Sequence, residues 1–254
     1  MVGPFDLSGR AALVTGASSG LGRHFAIVLA RAGAKVALAA RRSEALTALA
    51  REIESFDGRA VPVRMDVTDK ASVSAAIEAA ETELGAVHIL VNNAGIAVMR
   101  PLLEQTEDDW DRVIDTNLKG AFLVAQEVAR HMVRLGHGGS IVNVASILGI
   151  GALAQLAGYA AAKAGLIQLT KAMAIELARY DIRVNALIPG YVETDLNRDF
   201  FASPEGERLV KRIPQRRLAR PEDLDGPLLL LASDASRHMT AGAIVVDGGH
   251  SASL

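Results

Sequence analysis

Tyr159 and Lys163 are the residues whose types and spacing most directly allow acid/base chemistry. They stand four apart in a stretch of helical pattern, so both side chains project from one face and can meet one ligand. A free phenol, with a pKa of about 10, is a poor base at neutral pH, and an adjacent ammonium favours its ionised form. Taken alone, the pair reads equally well as a half-buried helix tyrosine beside a solvated lysine. Two further features narrow the reading. Ser146 ends an apolar run upstream of the pair, and Thr15-Gly16-Ala17-Ser18-Ser19-Gly20-Leu21-Gly22 joins an apolar run to a helical one. In such a loop glycines permit a tight turn and close approach of backbone to phosphate, while amides at the helix start bind pyrophosphate. Gly16, Ser18, Ser19, Gly20, Leu21 and Gly22 are therefore candidate phosphate contacts. Their spacing, with three residues between the first two glycines and one between the last two, departs from the common dinucleotide fingerprint.

Positioning these groups requires alternating strands and helices. Short apolar runs at 11–15, 35–39, 60–65, 88–91, 140–145, 182–188 and 243–246 predict seven strands. Helical patterns fall between them at 21–31, 44–56, 70–84, 107–135, 159–179 and 221–231. The strands carry few charges, as strands covered on both faces require. The expected fold is a doubly wound α/β three-layer sandwich, one domain over residues 1–254, with ligands outside the carboxyl ends of the strands. The positions just after those strands hold the Gly loop, Arg41, Asp66, Asn92 to Gly95, Ser146 and 189–194.

Together the Gly loop, Asn92-Asn93-Ala94-Gly95, and Ser146 followed after twelve residues by Tyr159-Ala160-Ala161-Ala162-Lys163 resemble the short-chain dehydrogenase/reductase family. Pro189-Gly190 and Asp247-Gly248-Gly249 are similar to it as well, so the resemblance spans essentially the whole chain. It implies a seven-stranded parallel sheet of order 3-2-1-4-5-6-7, frequent tetramers, and hydride transfer between a nicotinamide and a carbonyl or secondary alcohol. It further implies that Tyr159 is the acid/base, that Lys163 also holds the nicotinamide ribose, that Ser146 hydrogen-bonds the reacting oxygen, and that Asn117 supports a proton-relay water. Asp66 and the Val67 backbone would bind adenine, Asn93, Ala94 and Gly95 would line the adenosine side, and Asn92 would brace the central strand. Pro189 and Gly190 would pass under the nicotinamide, with Val192 and Thr194 on its carboxamide. The small residues from Gly158 to Gly165 would form half of a subunit interface.

Arg41 bears on cofactor choice. An acid at the end of the second strand accepts hydrogen bonds from ribose hydroxyls, whereas a basic residue accommodates the extra phosphate of NADP. Ala40 stands at the acid's position, followed by Arg41 and Arg42, so NADP(H) is the expected cofactor, with NAD(H) possible. The substrate pocket is expected from Ile147, Leu148 and Leu153 after the serine and from Tyr191, Phe200 and Phe201 in a lid over 191–213. Those side chains favour a hydrophobic ketone. Arg198, Arg208, Arg216 and Arg217 keep a 3-oxoacyl-carrier-protein or 3-oxoacyl-CoA substrate as an alternative. A non-catalytic dinucleotide sensor is a third reading, opposed by the intact Asn117, Ser146, Tyr159 and Lys163.

Composition excludes other classes. The formal charge of −2, with 27 basic and 29 acidic residues interspersed, gives no reason to expect nucleic acid. There is no cysteine, hence no disulfide or thiolate metal site, and no two of the six histidines are spaced i, i+4 to share a metal. No signal-peptide pattern or membrane-length apolar run is present, so a cytoplasmic location and no membrane partner are expected.

Overall fold

Residues 3–193 and 198–253 are described in the computed structural model. Seven parallel strands, β1 (Ala11–Thr15), β2 (Lys35–Ala40), β3 (Arg59–Arg64), β4 (Val87–Asn92), β5 (Gly139–Val144), β6 (Ile182–Pro189) and β7 (Ala243–Val246), form one sheet. Their order is β3-β2-β1-β4-β5-β6-β7, the order expected. The direction of winding reverses between β1 and β4, which opens a crevice at the carboxyl ends of the strands.

Side-chain alternation along each strand feeds two cores. Ala12 and Val14 of β1 face the layer of α1 (Gly20–Arg31), α2 (Ser43–Glu54) and a late helix, Asp225–Ala232, through Phe25, Leu46 and Leu228. Leu13 faces the opposite layer of α3 (Lys70–Leu84) and two long helices through Ile77, Val124 and Ala174. Burial on both faces is why the strands read as apolar runs rather than as alternating ones.

The helical pattern over 107–135 is not one helix. It divides into α4 (Glu107–Ile114), a π turn at Asp115–Lys119 and α5 (Gly120–Leu135). A capping box fixes the start of α4: Thr106 accepts from the Asp109 amide at 3.1 Å and Asp109 accepts from the Thr106 amide at 3.1 Å. The next helices are α6 (Ala157–Leu177), α7 (Arg198–Phe201), α8 (Pro204–Val210) and α9 (Asp225–Ala232). The segment expected as a lid thus carries α7 and α8. The segment expected as one helix from Pro221 begins instead as a 3-10 turn, Pro221–Leu224.

Gly22 shows how tightly α1 is set against the loop that leads into it. A Cβ there would lie 2.3 Å from the Gly16 carbonyl oxygen, a backbone atom with nowhere to move. At Gly226 in α9 an added Cβ meets nothing within 4 Å. Gly22→Ala should therefore lower the unfolding free energy by about 1–3 kcal/mol through overpacking, and Gly226→Ala should leave it unchanged or raise it. Urea unfolding midpoints of the two variants check this contrast.

Candidate active site and cofactor cleft

Helix α6 carries Tyr159 and Lys163 on the face turned to the end of β5. Lys163 is 4% exposed, and its Nζ donates to the Val144 carbonyl at 2.8 Å. That bond ties α6 to the last residue of β5, two positions before Ser146. Its Nζ lies 5.7 Å from the centroid of the Tyr159 ring, and the Ser146 hydroxyl stands close enough to the Tyr159 phenol to favour its ionised form. Ser146 also accepts from the Leu148 amide at 3.2 Å, which fixes its side chain at the start of a 3-10 turn.

The expected tuning of the phenol by Lys163 is not what dominates. Burial pushes the Tyr159 pKa up, opposed by the nearby Ser146 hydroxyl. Burial likewise pushes the Lys163 ammonium down to about 8. Both charged forms are disfavoured by the same dry environment, so the resting pair is a neutral phenol over a weakly held ammonium. A neutral phenol at this position is a proton donor, the form that carbonyl reduction uses.

Asn117 lies in the π turn and is fully buried. Its Oδ1 accepts from the Ile96 amide and its Nδ2 donates to the Ile96 carbonyl, each at 2.8 Å. This clamps the chain leaving β4 against the helix break. Gly95 fits between: a Cβ there would lie 3.2 Å from Asn117 Oδ1 and 3.6 Å from Lys163 Nζ. Asn92 braces the centre of the sheet as expected, donating to Ala121 O and Asn143 Oδ1 at 3.0 Å each.

A cavity of about 460 Å³ runs along the switch point. It brings together Gly16, Ser18, Ser19, Gly20 and Leu21 of the loop, Arg41 after β2, Asp66 and Val67 after β3, and Asn93, Ala94 and Gly95 after β4. Gly22 lies just behind, inside α1. Thr15 fixes the two central strand ends together. Its hydroxyl accepts from the Asn93 and Ala94 amides at 3.0 Å each, and Asn93 Nδ2 donates to the Thr15 carbonyl at 3.1 Å. A Cβ on Gly16, at φ +69°, would lie 2.9 Å from Ala94 Cα, so this approach needs glycine. Helix α1 has no side-chain cap and no acid in its first turn, which leaves its positive end open to a phosphate. These features fit a dinucleotide.

Asp66 accepts from the Thr68 amide at 3.0 Å and the Thr68 hydroxyl at 2.7 Å. Those bonds, with Arg41 adding a smaller pull, hold its carboxyl below the usual aspartate range. Arg42, which the sequence sets beside Arg41 without making it a cofactor contact, also lines this cavity. Its guanidinium donates to Ser18 Oγ at 2.9 and 3.2 Å and to Ser19 Oγ at 2.8 Å, lying across the Gly loop beside Arg41. Two serines in the loop opposite two arginines after β2 were the available signal.

The expected substrate wall changes in part. Ile147 packs with Ala145, Ile167, Ala186 and Ile188 in a buried cluster, and Leu148 is buried as well. Both lie in or beside the 3-10 turn after Ser146, with little surface exposed. Leu153 is exposed, and Tyr191 meets Phe201 and His250 at ring distances of 5.8 and 5.4 Å. Only the backbone of Phe200 is described, and Thr194 lies outside the described residues. Pro189 ends β6; Gly190 follows, its amide donating to Val246 O at 2.9 Å, and Val192 is buried and bridges Ala219. The small-residue stripe of α6 is used partly within the chain: Gly158 packs on Trp110 and Val113, and Gly165 on Leu118.

A cleft lined by a Gly loop that ends beside a half-buried phenol and a buried ammonium suits an oxidoreductase working with a dinucleotide. The family model for short chain dehydrogenases matches residues 10–205, and the chain belongs to that family, acting on CH–OH groups. It is 40% identical over 243 residues to the 3-oxoacyl-[acyl-carrier-protein] reductase FabG of Thermotoga maritima, covering 96% of this chain and 98% of that protein. It is also 40% identical over 251 residues to the gluconate 5-dehydrogenase of Gluconobacter oxydans, covering 98% of each. A crystal structure of a gluconate 5-dehydrogenase from Burkholderia cenocepacia in complex with NADP and tartrate aligns with a TM-score of 0.95 at 40% identity, over 100% of this chain and 99% of that one.

The position of Lys163 sets a pH limit. Its ammonium is charged below about 8 and neutral above, and only the charged form can support a phenolate electrostatically. The reductive kcat/KM should be level on the acid side and fall as pH rises through about 8. Lys163→Arg, which stays charged, should remove that fall. Steady-state pH profiles of the two enzymes are the check.

Proposed function

We propose that this chain interconverts a ketone and a secondary alcohol with NADP(H), Tyr159 exchanging the proton with the reacting oxygen. The observation that carries the reading is the Ser146 hydroxyl standing beside the Tyr159 phenol, because it gives one substrate oxygen two hydroxyls to meet. Bound NADP(H) supplies or accepts the hydride. Lys163 holds its ribose and stabilises the phenolate formed when Tyr159 gives up its proton. Asn117 holds the loop after β4 and supports the relay that reprotonates the phenol. The paired guanidinium groups of Arg41 and Arg42 supply the charge that a 2′-phosphate requires. Pro189, Gly190, Val192 and Thr194 complete the nicotinamide side, and 191–213 acts as the lid.

For the substrate, Leu153 and the Tyr191–Phe201 contact support a hydrophobic ketone. A second reading, a polyol or sugar acid, is favoured by the burial of Ile147 and Leu148 and by the His250 imidazole beside Tyr191. The gluconate 5-dehydrogenase relatives support it too. A turnover panel of aryl ketones, 3-oxoacyl thioesters and sugar acids separates the readings. Faster turnover of medium-sized ketones supports the first; a sugar acid winning overturns it.

Exposed Phe122, Val133 and Tyr180 on α5 and the turn after α6 border an apolar groove, with exposed Ile175 on α6 in addition, and support self-association as a homotetramer. Sedimentation should give four times the chain mass, and Phe122→Glu should shift it to smaller species. On cofactor choice, kcat/KM with NADPH should exceed that with NADH by at least about tenfold, or ~1.4 kcal/mol. Replacing Arg41 and Arg42 together by alanine, with Ala40→Asp, should reverse the ratio. Equal use of both cofactors by the native enzyme contradicts the assignment.

A further inference from the structure

A cavity of about 780 Å³ lies at the other end of the sheet from the nucleotide cleft. It opens where β1, β4, β5 and β6 begin, and its outer wall is the turn after α9. Nothing in hydride transfer uses it. Its size falls within the range of small-molecule sites, roughly 300–1,000 Å³.

The charges around it are unevenly compensated. Arg10 pairs with Asp234. Arg183, on β6, does not have such a partner: its guanidinium donates to Leu231 O at 3.1 Å, Ser233 O at 3.0 Å and Ser236 Oγ at 2.6 Å, all neutral acceptors. These bonds cap the carboxyl end of α9 and hold the guanidinium rigidly. The five N–H donors of an arginine outnumber them. Among the described residues no ion pair reaches Arg183, although it is only partly exposed; Asp234, already paired with Arg10, acts on it from beyond ion-pair distance, and burial is the larger influence on its charge. Arg237 stands exposed at the rim, also without an ion pair among the described residues. His88 and His137 lie with ring centroids 4.6 Å apart and planes tilted by 37°, so that two imidazoles line one side of the cavity. His238 adds an imidazole and Asp181 the second carboxylate of the lining.

A preorganised guanidinium, a second one at the mouth and a wall of two imidazoles match an anion carried on an organic body. Arginine forks suit phosphate in particular. We propose that this cavity is a second binding site, for a phosphorylated small molecule whose phosphate lies on Arg183 and Arg237 and whose body covers the His88–His137 wall.

The test is calorimetric titration of the whole enzyme, saturated with NADP+ so that the nucleotide cleft is filled, with ribose 5-phosphate and separately with inorganic phosphate. Ribose 5-phosphate should bind once per chain, with Kd of about 1 mM or tighter, and more tightly than inorganic phosphate. Arg237→Ser, a rim change that leaves the capping bonds of Arg183 intact, should weaken it about tenfold while turnover stays native. Arg183→Met should abolish it; where that variant loses its fold, Arg237→Ser decides. No binding up to about 10 mM, or equal affinity in Arg237→Ser, overturns the site. Inorganic phosphate binding as tightly as ribose 5-phosphate overturns the organic ligand.

Discussion

The bond from Lys163 Nζ to the Val144 carbonyl is the contact on which the catalytic arrangement rests. An ammonium buried at a strand end needs every favourable partner it can reach, because removal from water disfavours its charge. The Val144 carbonyl supplies one where β5 stops. Through that bond the register of α6 against the sheet is set, and the register in turn places Tyr159 one helical turn away over Ser146. Gly95 leaves the space that the lysine occupies, and Asn117 holds Gly95 and Ile96 in place from the far side. Four elements converge on one cation.

The dryness that makes this precise also sets its chemistry. Tyr159 is held protonated and Lys163 close to losing its proton, so both lie nearer to neutrality than they would in water. A bound cofactor and substrate supply the hydroxyls and developing charge that reward an ammonium here. At the cofactor end the logic is opposite. Arg41 and Arg42 are exposed, where their guanidinium groups are open to an anion arriving from solvent.

The seven strands, their two-sided burial and the gathering of the loop and strand-end residues were legible from apolar periodicity and from the rule that sites form outside strand carboxyl ends, and the strand order and the serine, tyrosine and lysine set from the family resemblance. What escaped was local backbone geometry. The π turn in 115–119 interrupts an unbroken helical pattern, since Asn117 exchanges helix regularity for two bonds to Ile96. Ile147, in the 3-10 turn after Ser146, lies in a buried cluster although its type suits a pocket wall equally well. Arg42 was hidden by its neighbour: residues 41 and 42 are alike in sequence, and only the fold shows which guanidinium reaches the serines. Apolar type alone does not distinguish a core face from a substrate face.

The central claim is that Tyr159 moves the proton. Tyr159→Phe removes the hydroxyl and keeps the ring, so its cofactor affinity, read by fluorescence titration with NADPH, should remain within a few fold of native while single-turnover reduction falls by at least about 10²-fold. A Tyr159→Phe enzyme that binds NADPH normally and reduces a ketone at near-native rate would contradict the account.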